Sequence, residues 1–92
     1  MFLQWSQHAR KDRLALIRYI AHDNPDAALQ MNILLRNAAE GLLRFPMQGR
    51  LGRVQGTREL VVHSTYILVY SVVDTLITIL AVIHTSRQYY PD

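Results

Sequence analysis

The run TRELVVHSTYILVYSVVDTLITILAVIH, residues 57–84, decides the fold. β-branched and aromatic residues dominate it, and these favour the pleated, half-buried surface of a sheet. Two polar dipeptides, Ser64-Thr65 and Asp74-Thr75, divide it into TRELVVH, TYILVYSVV and LITILAVIH. Links that short leave no room for a crossover, so the three segments pair as consecutive antiparallel hairpins.

Working outward, FPMQGRLGRVQG at 45–56 is a break, because Pro46, Gly49, Gly52 and Gly56 forbid a continuing helix. Before it, the chain changes period. FLQW at 2–5 reads as a strand, and Ser6 can cap a helix through QHARKDRLALIRYIAHD. Ala9, Leu16, Ile17 and Ile20 fall near helical spacing on that helix and form its inward stripe. Asn24 is a good N-cap for a second helix, Pro25 suits its first position, and Asp26 favours its positive end. This helix is expected to run to about Arg44, with Ala28, Met31, Leu35, Ala38 and Leu42 on one face. Two helices joined so closely form an antiparallel hairpin. The order β-α-α-β-β-β predicts an α+β fold, with the helical hairpin packed on a small antiparallel sheet and residues 1–92 forming a single domain. Trp5, Tyr19, Tyr66 and Tyr70 are expected in the core or at its edge. His8, His22 and His63 are expected at the surface.

Composition narrows the chemistry. The 92 residues are half hydrophobic, so one modest core forms without metal or disulfide support. The chain has no cysteine, which excludes a disulfide framework, a thiolate metal site and cysteine catalysis. Neither a metal nor another cofactor is expected. No signal peptide is evident at the N-terminus, and the apolar stretches are too broken to span a membrane, so the expected location is cytoplasmic. The net charge is +3. Every basic side chain except Lys11 is arginine, whose planar fork suits phosphate and carboxylate.

Trp5, NPDAA at 24–28, FPMQGRLGR at 45–53, GTRELVV at 56–62, YILVY at 66–70 and ILAVIHTSRQYYP at 79–91 together resemble the RelE/ParE superfamily. These are the toxins of bacterial type II toxin–antitoxin pairs, associated with plasmid stability. The segments come in the family's order and cover nearly the whole chain. The resemblance implies growth arrest held in check by a cognate antitoxin. It also implies one of two targets: mRNA on the ribosome, cut by RelE-type toxins with inhibition of translation, or DNA gyrase, poisoned by ParE-type toxins.

Cutting RNA without a metal requires a base for the 2′-hydroxyl, a cation for the phosphate and an acid for the leaving oxygen. The candidates for catalysis are His84, Arg87, Arg58 and Tyr90, and those for holding RNA are Arg50, Arg53 and Tyr89. Histidine is the side-chain type suited to acid or base work near neutral pH, so His84 could serve as either, and Tyr89 or Tyr90 could stack on a base. If the first hairpin and the last strand are neighbours, these groups converge on one side of the sheet. Each has a plainer use. Arg58 is as well suited to a structural ion pair, Arg50 and Arg53 to a solvated turn, the glycines to backbone angles, and Glu59 to pairing with an arginine. One departure from the family stands out. Many RNA-cutting members carry an arginine on the last strand three residues before the position of His84, and this chain has Ala81. If the site were of that type, arginine at position 81 would restore the cation. The His84–Arg87–Tyr90 group has a use in cutting RNA that a gyrase poison does not need. On that ground a ribosome-dependent mRNA interferase (an endoribonuclease) is expected. Gyrase poisoning is the alternative, and a degenerate toxin that only binds its antitoxin is a third possibility.

Overall fold

A computed structural model describes residues 1–85. Its elements are β1 (Phe2–Trp5), α1 (Gln7–Asp23), α2 (Pro25–Gly41), β2 (Arg50–Leu51), β3 (Arg58–His63), β4 (Tyr66–Val73) and β5 (Leu76–His84). The expected α+β order holds, with two refinements. A two-residue strand, β2, forms inside the glycine-arginine segment. The sheet is mixed, in the order β1-β5-β4-β3-β2, with β1 parallel to β5 and the other pairs antiparallel.

Local chemistry sets the helix boundaries. Ser6 Oγ accepts from the Ala9 N–H at 3.0 Å and donates to the Leu80 carbonyl, so one residue starts α1 and ties it to β5. Asn24 closes α1 through its backbone N–H to Ile20 and opens α2 by accepting the Ala27 N–H on Oδ1 at 3.0 Å. α2 ends at Gly41 rather than near Arg44, and the chain winds on through successive turns that bond Leu43 to Glu40 and Arg44 to Gly41.

The helices cover one sheet face. Ala9, Leu35, Ala39 and Leu42 pack there on Leu60, Leu68, Tyr70, Ile77 and Ile79. A second cluster, Ile67, Val69, Ala81 and Ile83, includes no helical residue. Ile67 and Val69 alternate with Leu68 along β4, so this cluster lies on the opposite face. The switch in β5 comes from a bulge. Val69 pairs with Ala81 but Tyr70 with Ile79, which leaves Leu80 as the extra residue. Before the bulge Ile77 and Ile79 face the helices, and after it Val82 does. β1 pairs with β5 only as far as Ile79. Beyond that point Asp12 of α1 accepts the Val82 N–H on Oδ2 at 3.0 Å and holds His8 Nε2 at 3.3 Å.

Among the aromatics, Tyr70 is fully buried and Trp5 and Tyr66 are half-buried, whereas Tyr19 is exposed. Tyr19 lies on the outer face of α1, away from the stripe that packs on the sheet. His8, His22 and His63 are exposed. No helix among the described residues is long and apolar enough to cross a membrane.

Candidate functional site

The glycine-arginine segment is anchored by three side chains of the sheet, Arg58 and Tyr70 on the helix-covered face and Glu59 on the other. Arg50 in β2 pairs in register with Glu59 in β3. Glu59 is 4% exposed, and a buried carboxylate requires partners. Its Oε1 accepts Arg50 Nη2 at 3.0 Å and Nε at 3.2 Å, while Oε2 takes the Arg53 backbone N–H at 3.4 Å. One carboxylate therefore ties both arms of the turn. Arg58 sends Nη1 to the carbonyls of Gly49 at 2.8 Å and Met47 at 3.3 Å. The Tyr70 hydroxyl donates to the Pro46 carbonyl at 2.8 Å and accepts the Gly49 N–H at 2.9 Å. A Cβ at Gly49 would stand 2.7 Å from that hydroxyl and 2.8 Å from the Glu59 carbonyl, so only glycine fits. At Gly52 the Thr57 side chain occupies the same space, and the Gly52 N–H closes the turn on the Thr57 carbonyl at 2.9 Å. Gly49 and Gly52 are thus present for close backbone approach, whereas Gly56, at φ 84° with nothing within 4 Å of its Cβ position, serves the backbone angle.

His84 ends β5 opposite Tyr66, with ring centroids 5.3 Å apart and the planes edge-on at 89°. Arg58 pairs instead with Tyr70, four residues further along β4. At about 3.4 Å per residue the two lie roughly 14 Å apart along the strand, and β4 itself stands between them. The expected convergence of His84 with Arg58 is therefore not found among the described residues. Arg87, Tyr89 and Tyr90 lie outside those residues. Ala81, where an RNA-cutting member would carry its cation, is 6% exposed and clusters with Ile67, Val69 and Ile83.

Two hollows flank the helical hairpin. One, of about 330 Å³, is lined by Trp5, Arg10, Arg13, Leu14, Ile17 and Asn32. There the Arg13 guanidinium lies 4.5 Å above the Trp5 ring and donates through Nε to Asn32 Oδ1 at 2.8 Å. Burial, and next to it the charge of Arg36, lower the Arg13 pKa, with Glu40 acting the other way. The other hollow, of about 480 Å³, lies between the start of α2 and His63 and includes Met31 and Leu34.

Sequence reading assigned Tyr70 to the core but missed its hydroxyl as a loop clamp, and missed Asp12 as a bridge to β5. The signal for Asp12 was its position four residues after His8 on one helix face.

A family model described as the ParE toxin of the type II toxin–antitoxin system parDE matches residues 3–89. Toxin RelE2 of Caulobacter vibrioides is 37% identical over 83 residues, which cover 90% of this chain and 93% of that protein. A putative toxin, Y4kP, of Sinorhizobium fredii is 33% identical over 88 residues, or 95% and 91% of the two chains. A structure of the chromosomal ParDE system from P. aeruginosa superposes with a TM-score of 0.81 at 23% identity, over 91% of this chain and 95% of that one. The E. coli DinJ-YafQ complex superposes at 0.62 and 17% identity, over 96% and 97%. At these identities the superpositions establish a shared fold.

Proposed function

The chain belongs to the ParE toxin family of type II toxin–antitoxin systems, within the RelE/ParE superfamily, and from that premise we propose that it arrests growth by seizing a protein target, DNA gyrase, rather than by cutting RNA. The observation that carries this reading is how two of the candidate cations, Arg58 and Arg50, are engaged. Arg58 is committed to two backbone carbonyls and Arg50 to Glu59, and the last-strand position for a cation is a buried alanine. A phosphoryl transition state needs preorganised positive charge aimed at the phosphate. Groups already satisfied by the fold supply it poorly, whereas a surface that acts by docking requires no acid, base or spare cation.

Cleavage of ribosome-bound mRNA is the second reading. It draws on His84, a half-buried imidazole beside the Tyr66 ring at the sheet end. Replacing His84 by alanine separates the two. A gyrase poison keeps its toxicity within about twofold and leaves transcripts whole, while an RNase loses about 10²–10⁴-fold of its activity. Primer extension on translated mRNA after induction, run beside a DNA-cleavage assay with purified gyrase, reads both arms. Transcripts cut by the parent and spared by His84→Ala would overturn the gyrase reading.

In the resting cell the partner is a cognate antitoxin, and the hollows beside Leu14 and Leu34 are its surface. Both side chains are exposed leucines on the helical hairpin, the kind of apolar anchor that an amphipathic segment covers. The double change Leu14→Asp, Leu34→Asp is expected to weaken antitoxin binding by about a hundredfold, at roughly 1.4 kcal/mol per buried leucine lost. Titration calorimetry against the antitoxin encoded beside the toxin measures it, and unchanged affinity would place the antitoxin elsewhere.

A further inference from the structure

The glycine-arginine segment, clamped by Tyr70, Arg58 and Glu59, carries an unusual run of exposed apolar side chains. Leu43, Phe45, Met47, Leu51 and Val54 are all exposed, Phe45 at 63% and Leu51 at 78%. Exposed apolar side chains scattered singly are ordinary, but five within twelve residues of a clamped segment are not. Arg44 and Arg53 lie among them and are also exposed, while Arg50 is held by Glu59. From Gly41 to Arg58 the sequence contains no acidic residue.

Resting on the reading of a protein-binding toxin, we infer that the strip from Leu43 to Val54 is the surface that docks on the target, and that it recognises an acidic and apolar patch on that protein. Two considerations favour a target protein as the occupant. A single-stranded RNA can stack a base on Phe45, but the aliphatic side chains of Leu43, Met47 and Val54 offer its bases neither a ring nor a hydrogen bond. The antitoxin surface proposed above lies along the helices, where both hollows are.

The clamp explains how such a strip binds. Tyr70, Arg58 and Glu59 fix its backbone at Pro46, Met47, Gly49 and Arg53 before any partner arrives. A preorganised segment loses little conformational entropy on docking. Phe45 and Met47 then serve as central anchors, and the arginines steer encounter with an acidic surface.

The test uses Phe45→Asp and Met47→Asp, each purified with antitoxin and released, against purified gyrase. Antitoxin affinity is the folding control, and toxicity on induction is read alongside. The expected result is a loss of gyrase binding of at least about tenfold for each variant, with antitoxin affinity and thermal stability retained. The association rate of the parent should also fall as salt rises. Parent and variants binding gyrase equally would overturn the strip and leave the gyrase reading standing. A parent that ignores gyrase would sink the gyrase reading, and the strip would then be judged by toxicity. Variants that still bind antitoxin but no longer arrest growth support it, and variants as toxic as the parent overturn it. Loss of antitoxin binding by folded variants would assign the strip to the antitoxin and also overturn the inference.

Discussion

Tyr70→Ala is expected to leave the chain unfolded or severely destabilised, and Tyr70→Phe to loosen one loop while sparing the core. Tyr70 is fully buried at the junction of β4 with α2 and with the loop that follows it. Truncating a buried aromatic ring costs about 3–5 kcal/mol through lost transfer energy and the cavity left behind. A small domain has only about 5–15 kcal/mol in total. The phenylalanine variant keeps the ring and removes only the hydroxyl. It strands the Gly49 N–H, which has been taken out of water, and it releases the Pro46 carbonyl. A buried donor left without a partner costs about 1–3 kcal/mol. Urea unfolding should therefore place Tyr70→Phe below the parent by that amount with an unchanged slope. Hydrogen exchange should show the Gly49 amide losing protection while the β4 and β5 amides keep theirs. Equal protection of Gly49 in both proteins would mean that the loop is held by Arg58 and Glu59 without Tyr70.

That clamp marks the boundary of what the sequence discloses. The strands of 58–84 are legible because their separators are two-residue polar links, and the helices because Ser6 and Asn24 are capping residues at the right places. The glycine-arginine segment is legible as a turn, yet β2 within it is not. Two residues carry no periodicity, and their pairing depends on the Glu59 carboxylate waiting one strand away. The partner of Arg58 is equally hidden, because carbonyls of Met47 and Gly49 have no side-chain signature. Most deceptive is β5. Its buried positions, Ile77, Ile79, Ala81 and Ile83, alternate without a break, as though they shared one face. The bulge at Leu80 sends the first pair to the helices and the second pair to the opposite side, and a period of two cannot reveal it. The separation of His84 from Arg58 has a similar origin. It follows from β4 lying between β3 and β5, and from which residues of β4 each strand faces.

Placing arginine at position 81 is the sharpest use of that finding. If the chain were an RNA-cutting toxin that had lost its last-strand cation, Ala81→Arg would restore it and raise cleavage. The geometry leads to the opposite expectation. Ala81 sits against Val69, and Val69 in turn pairs with Glu59, so the three lie in one row across β5, β4 and β3 on the face away from the helices. A guanidinium entering this row displaces packing among Ile67, Val69 and Ile83 and arrives in a buried apolar cluster. Glu59 lies about 9.6 Å away across two strand spacings, near enough to attract it, but its carboxylate already holds Arg50 and the Arg53 amide. Overpacking costs about 1–3 kcal/mol, and a buried charge without its own partner adds to that, so the variant should lose about 3 kcal/mol or more. It should cleave no transcript. Removing the competitor tests the cause. Arg50→Ala added to Ala81→Arg frees Glu59 for the new guanidinium, so the double variant should be less destabilised than the two single losses summed, by an interaction of about 0.5–3 kcal/mol. Strict additivity would mean that the arginine never reaches Glu59. A stable Ala81→Arg protein that cuts mRNA faster than the parent would overturn both the packing argument and the gyrase reading.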